Sequence, residues 1–155
     1  MSGADRIPMS NTRRDLGLLL PALASAARAQ QTPATPAKPA ILPSKLYRTE
    51  DIPYTGDDKK RGRRIFLGTT HTGFNLEMHE TVLASGEISH PPHKHVHEEI
   101  IVIVEGTIEA SIEGKIDRAT AGSVSFFASN EMHNFKNIGP GHCRYYVLEL
   151  RADAA

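Results

Sequence analysis

The sequence of 155 residues has little of what several protein classes depend on. It contains one cysteine and no tryptophan, so a framework of internal disulfides is excluded. Lysine and arginine together number 18, and aspartate and glutamate also number 18, which leaves no net charge. Without a basic excess the chain is not expected to bind nucleic acid. Without an acidic excess it does not have the composition of an acidic solvating tail. The length suits one domain with short extensions.

Long hydrophobic runs are also absent. The longest apolar stretch, residues 16–27 within "NTRRDLGLLLPALASAARAQQ", follows an arginine pair and ends before the small-x-small pattern of a cleavage site. About twelve residues are too few for a stable membrane anchor, and Pro21 would kink an amphipathic helix here. We expect an export signal over residues 1–29. It resembles a bacterial twin-arginine signal, which implies a periplasmic protein whose translation starts at Met1 or Met9.

A proline-rich segment separates this signal from the rest of the chain. Residues 30–44, "QQTPATPAKPAILPS", contain four prolines and little apolar mass. Such a composition is typical of an extended linker. We therefore expect a single domain over residues 45–155, with its core between residues 65 and 150.

Short strands dominate the expected domain. In "FNLEMHETVLASG" apolar and polar residues alternate, with Glu77 and His79 on the polar face, which lines a cavity or faces solvent. The tetrapeptide "IEGK" predicts a hairpin turn between "TIEASI" and "KIDRAT". Cys143, in the apolar "HCRYYVLEL", is expected to be a small buried residue. Strands with glycine turns and no helical periodicity favour an all-β sandwich or barrel.

Two further segments carry predictions about surfaces. Residues 100–104, "IIVIV", are apolar at every position, which indicates a strand covered on both faces and weakly favours a homodimer. Residues 57–64, "DDKKRGRR", form the only dense charge run. A phosphate-binding patch is one interpretation, but two leading aspartates and the lack of aromatic residues favour a solvated loop.

The most distinctive segment is "HPPHKHVHEE", residues 90–99. On a strand, His93 and His95 project to the same face, and Glu99 joins them if the chain turns between. Imidazole nitrogens with a carboxylate suit iron(II), manganese, nickel, copper or zinc. A further ligand must come from elsewhere, and His133 in "NEMHNFKN" is the candidate. The alternative is a loop of surface histidines.

These residues resemble the first motif of the cupins: glycine, H-x-H, three residues, glutamate, six residues, glycine. The matching positions are Gly86, His93, His95, Glu99 and Gly106. The sequence departs from the motif in one place, because six residues rather than the usual five separate the first glycine from the first histidine.

The second cupin motif is matched by Gly122, His133 and Asn137 at the usual spacing. Ala128 replaces its proline, and Asn130 replaces its second glycine. Asparagine tolerates the left-handed conformation that glycine would supply, so the turn is expected to keep its shape.

The resemblance implies a single cupin domain, an all-β double-stranded β-helix or jelly-roll barrel. It implies that a divalent transition metal, with iron(II) favoured, is held by His93, His95, Glu99 and His133. Open coordination positions would remain for water, dioxygen or substrate. In such enzymes the glutamate also acts as a base, which makes Glu99 the candidate catalytic residue.

Three functions follow as expectations. The first is an exported metal-dependent dioxygenase acting on a small organic substrate that chelates the metal. The second is a non-oxidative isomerase, epimerase or decarboxylase, for which the free acid–base candidates are Glu77, His79, Tyr145 and Tyr146. The third is a small-ligand-binding cupin without turnover. His90 is expected at a loop or pocket rim, and His97 beside the ligands or on the surface.

Overall fold

The computed structural model describes residues 40–151 of the chain. The predicted export signal and most of the predicted linker lie outside these residues. Within residues 40–151, no helix is long and apolar enough to cross a membrane. Where the predicted linker ends, the backbone of Ala40–Leu42 lies along the end of a strand, with the Leu42 amide donating to the Thr69 carbonyl at 2.8 Å.

The described residues form an all-β domain, preceded by one turn of 3-10 helix at Thr49–Asp51. Its strands are β1 Thr55–Gly56, β2 Lys60–Thr69, β3 Asn75–Leu83, β4 Glu98–Glu105, β5 Thr107–Ile112, β6 Lys115–Thr120, β7 Val124–Phe127, β8 His133–Asn137 and β9 Cys143–Arg151. They make a six-stranded sheet in the order β1-β2-β3-β9-β4-β7 and a three-stranded sheet in the order β6-β5-β8. All strand pairings are antiparallel, and the predicted all-β jelly-roll fold is confirmed.

The two sheets pack their inner faces on one apolar core. Its buried members are Leu83, Ile101, Ile103, Ile108, Ala110, Phe127, Phe135, Cys143, Tyr145 and Val147. Cys143 is buried as expected, and burial raises the pKa of its thiol to about 11. In β4, buried Glu99, Ile101 and Ile103 alternate with half-buried residues. The outer face of "IIVIV" is therefore only partly covered by residues 40–151, and the homodimer stays a prediction.

Two turns follow the sequence chemistry closely. The predicted hairpin between β5 and β6 has Glu113 at φ 48° and Gly114 at φ 77°, the two positive values that a tight hairpin turn requires. Asn130 lies in the left-handed region at φ 62°, as expected for a residue that replaces a motif glycine. The turn that leads into β8 is therefore kept despite the substitution.

The prediction of a solvated loop for "DDKKRGRR" was wrong from Lys60 onward, because β2 begins there. The side chain of Arg63 is 9% exposed and forms an ion pair with Glu80, whose side chain is fully buried. Arg144 reaches the same carboxylate at 3.2 Å. Two guanidinium groups compensate the cost of burying one carboxylate, which is why charged residues lie inside a strand here.

Candidate metal centre

The structure places His93 beside His133 through the backbone. His133 opens β8, and His93 lies in the segment between β3 and β4. The His93 amide donates to the His133 carbonyl at 3.1 Å, and the His133 amide donates to the His93 carbonyl at 2.9 Å. The expectation of an H-x-H strand was wrong, since only this isolated bridge forms there and His95 lies outside any strand. The prolines Pro91 and Pro92 keep that segment out of the sheets' ladders.

Glu99 completes the group from the opposite sheet. It is the second residue of β4, on the inner face, and it is 6% exposed. Its Oε1 lies 3.0 Å from His95 Nε2, and its Oε2 lies 3.6 Å from His133 Nε2. The ring centroid of His93 lies 5.2 Å from that of His95 and 4.7 Å from that of His133. All four predicted ligands thus meet at one place, and their role as ligands stays a prediction.

The ring nitrogens of these histidines fit a metal. His95 Nδ1 lies 2.9 Å from the His97 carbonyl, and His133 Nδ1 lies 2.8 Å from the Glu131 carbonyl. When Nδ1–H donates to a carbonyl, Nε2 keeps a free lone pair directed at the site. The Nε2 atoms of His95 and His133 and the Nδ1 atom of His93 are buried without a hydrogen-bond partner. Buried polar atoms are costly to leave unpaired, and a cation bound by them removes that cost.

Aromatic packing fixes two of the rings. The fully buried Phe127 stacks on His133, with ring centroids 4.3 Å apart and planes inclined by 12°. His97 stacks on His95 at 3.6 Å and 5°. His97 also lies 3.4 Å from a Glu149 oxygen, so it is half-buried against the site rather than on the surface. These contacts hold the imidazoles in orientations that converge on Glu99.

A cavity of about 130 Å³ opens beside the four residues. Apolar wall positions are Ile101, Phe135 and Val147, and polar ones include Lys60, His79, Thr81, Ser89, His90, Tyr145 and Glu149. His79 therefore lines the cavity, while Glu77 on the same face of β3 is buried beside it, so this part of the polar face points inward rather than to solvent. Tyr145 faces the same cavity, whereas Tyr146 lies in a groove on the outer face of the sheet.

Three glutamates form a row across neighbouring strands. In the strand register Glu77 pairs with Glu149, and Glu149 pairs with Glu99, so their side chains lie side by side on the inner face. Carboxylates directly opposite each other repel. Arg64 Nε at 3.0 Å and Arg151 Nη1 compensate Glu77 from the rim. Burial, and then the charge of Glu77, raise the pKa of Glu149 above its ordinary value.

Several cavity histidines have a lowered pKa. Burial lowers the pKa of His79 and of His93 below the ordinary value. Burial and the neighbouring His93 lower the pKa of His90 to about 4, and its ring lies edge-on to that of His93 at 4.4 Å. His90 is exposed and also lines the cavity, so it lies at the rim, as predicted. Neutral imidazole is the form that ligates metals and accepts protons.

Lys60 and Glu149 line the cavity although their sequence context did not predict it. Lys60 belongs to the charge run that predicted a loop, and Glu149 to a strand interpreted only as apolar. The signal for Glu149 was its parity with Tyr145 and Val147, since alternate residues of one strand share a face.

Comparison with known proteins agrees with this architecture. The family model "Cupin domain" (Cupin_2) matches residues 79–149. KdgF from Halomonas sp. is 17% identical with a TM-score of 0.60, covering 72% of this chain and 97% of that one. An RmlC-like cupin from Shewanella frigidimarina is 19% identical with a TM-score of 0.57, covering 69% and 90%. The polyketide cyclase RemF from Streptomyces resistomycificus is 19% identical with a TM-score of 0.56, covering 68% and 78%.

A curated protein also matches part of the sequence. Over 89 residues the chain is 27% identical to "Endoribonuclease YbeY" from Myxococcus xanthus, which covers 56% of this chain. The chain spans 30% of that protein's length. The solved structures are similar in fold, and together with the family match they support a small cupin.

Proposed function

We propose that this cupin is a metal-dependent enzyme for a small polar organic substrate. One observation carries the proposal: His93, His95 and His133 each offer a ring nitrogen within 4.8 Å of the other two, and the Glu99 carboxylate lies beside His95 and His133. His93, His95, Glu99 and His133 would hold a divalent transition metal, with iron(II) favoured and manganese, nickel, copper or zinc as the other candidates. A bound metal of this kind supplies a Lewis acid that polarises substrate oxygens.

The cavity lining favours proton transfer as the reaction. His79 and Glu149 lie on its wall, where burial lowers the pKa of His79 and raises that of Glu149. A neutral imidazole beside a carboxyl group is a pair that can accept and donate protons. Glu99 is the third candidate base, at the metal end of the cavity. An isomerase, epimerase or decarboxylase needs such groups within reach of its substrate. This supports the non-oxidative function over the others.

The dioxygenase function is the second candidate. Ile101, Phe135 and Val147 form an apolar part of the same cavity wall. Dry, apolar surroundings protect reactive oxygen chemistry from water. For this function the substrate must itself chelate the metal.

The first experiment is elemental analysis of the protein beside His133→Ala, both purified without chelator and without affinity histidines. We expect near-stoichiometric metal in the parent and a loss of at least about tenfold in His133→Ala. His142→Ala is the matched control, since His142 is an exposed histidine away from the cavity. Equal metal in both variants, or no metal in the parent after reconstitution, would refute the metal site.

A second experiment separates the reactions. Metal-loaded protein is incubated with a panel of small hydroxy acids, sugars and catechol-like chelators, once in deuterated water without oxygen and once on an oxygen electrode. Deuterium incorporation or carbon dioxide release without oxygen supports proton transfer or decarboxylation. Substrate-dependent oxygen uptake supports the dioxygenase instead. Saturable binding with neither response points to a ligand-binding cupin.

A further inference from the structure

We propose that the substrate of this cavity is a small organic anion whose carboxylate pairs with Lys60. The inference rests on the proposed function, since it concerns the same cavity. Lys60 is the first residue of β2, and its ammonium group donates a hydrogen bond to the Ser89 carbonyl at the cavity wall. It is the only lysine or arginine among the residues found to line this cavity.

Lys60 differs from the other cations around the site in lacking a carboxylate partner. Arg64 and Arg151 both contact Glu77, and Lys59 lies 3.9 Å from Glu87. Among residues 40–151 no carboxylate forms an ion pair with the Lys60 ammonium, whose acceptor is a backbone carbonyl. An ammonium group has three donors, so the remaining donors are available to a ligand.

The surroundings of Lys60 disfavour its positive charge. Burial, and to a smaller extent the charge of Lys60, lower the pKa of the neighbouring cavity residue His79. Burial lowers the pKa of Lys60 itself. An anion bound beside the Lys60 ammonium would compensate its positive charge, and it would therefore raise the lowered pKa values of Lys60 and His79.

The carboxylates at the other end of the cavity already have partners. Glu99 contacts His95 and His133, and Glu149 contacts His97 at 3.4 Å and Arg151 at 3.5 Å. A divalent ion on Glu99 would therefore leave an excess of positive charge facing the cavity. Complementary charge selects a ligand more than it adds raw affinity.

The size of the cavity restricts the anion. A volume of about 130 Å³ corresponds to roughly ten water positions. This suits a hydroxy or keto acid of a few carbons, with oxygens for the metal at one end and a carboxylate for Lys60 at the other.

The test compares lactate with lactamide, its neutral amide, by calorimetric titration of metal-loaded and metal-free protein. We expect the ratio of lactate to lactamide affinity to fall by about fivefold in Lys60→Met, the upper range for a partly exposed ion pair. Lys60→Arg should keep the ratio. Lys59→Met is the matched control, because it removes the same charge from the adjacent residue outside the cavity, and it should behave like the parent.

The inference is overturned if Lys60→Met keeps the parent's ratio, or if the parent binds the two probes equally or binds neither. Should Lys60→Met fail to fold, Lys60→Gln keeps a donor near the Ser89 carbonyl and gives the same comparison. Metal analysis of each preparation separates the two proposals. A parent that retains no metal contradicts the proposed function, while a lactate preference that depends on Lys60 in metal-free protein would still support the anion subsite.

Discussion

Asn137 offers a sharp test of how the site is supported. Its side chain is fully buried at the end of β8, the strand that begins with His133. Its amide nitrogen donates to the Leu83 carbonyl at 3.0 Å and to the Gly141 carbonyl at 2.8 Å. Its amide oxygen accepts from the Gly139 amide at 2.9 Å. One side chain thus joins the end of β3 and the β8–β9 turn to the strand of a predicted ligand.

The substitution Asn137→Ala removes all three hydrogen bonds. Each lost bond costs about 1 kcal/mol, and a buried group left without a partner, as the Gly139 amide would be, adds roughly another 1 kcal/mol. The expected loss in the free energy of unfolding is therefore about 4 kcal/mol, from a total of about 5–15 kcal/mol for a domain of this kind.

Urea unfolding followed by circular dichroism measures this loss. With a slope of about 2 kcal/mol per molar urea, the midpoint should fall by about 2 M while the slope stays the same. Asn134→Ala on the same strand is the control, because the Asn134 side chain makes none of these bonds, and it should change the midpoint little. Metal bound per folded molecule should not change. A loss below about 1 kcal/mol would refute the assignment of these bonds as net stabilising.

Three further predictions address turns, protons and the metal. Asn130→Ala should lower the free energy of unfolding by about 1 kcal/mol, and Asn130→Gly should not, because φ at this position is 62°. The urea midpoints of the two variants test this prediction. In the folded state the pKa values of His79 and His90 lie below the ordinary 6.5, with that of His90 at about 4. Metal-free protein should therefore lose stability as the pH falls from 6.5 to 4, because the unfolded chain binds more protons in that range. Urea titrations at each pH measure this dependence, and His90→Gln should flatten it. Chelator treatment should lower the melting temperature, and restored metal at about a hundredfold excess over its Kd should return about 2.7 kcal/mol, whereas identical thermal scans would contradict the site.

Local sequence signals predicted much of the fold and the site. The hairpin at "IEGK" and the nearness of His93, His95 and Glu99 rest on residue spacing within short segments. Asn130 and His133 were assigned through the resemblance to the second cupin motif, and His133 meets His93 only through a long-range backbone pairing. The sequence pattern also predicted a polar strand face that contains His79, and it left undecided whether this face lines the cavity or contacts solvent.

The errors have a different origin. Arg63 was predicted to be solvated, because its partner Glu80 lies seventeen residues away on another strand. Lys60 was not predicted to line the cavity for the same reason, since the Ser89 carbonyl that accepts its hydrogen bond is distant in sequence. The sequence of a charge run shows which charged residues it contains, but not which distant groups they contact in the fold. Long-range pairing decides whether a charged side chain is exposed or buried, and the sequence carries no direct record of it.

The reciprocal backbone hydrogen bonds between His93 and His133 have a consequence for which ion the proposed site would prefer. The main chain thus fixes the backbone positions of two proposed ligands relative to each other. Nitrogen and oxygen donors generally bind divalent ions in an order in which copper and zinc exceed manganese and iron, and only the geometry of a site can shift its preference away from that order. Recombinant protein should therefore be reconstituted with each candidate metal before any activity is assigned.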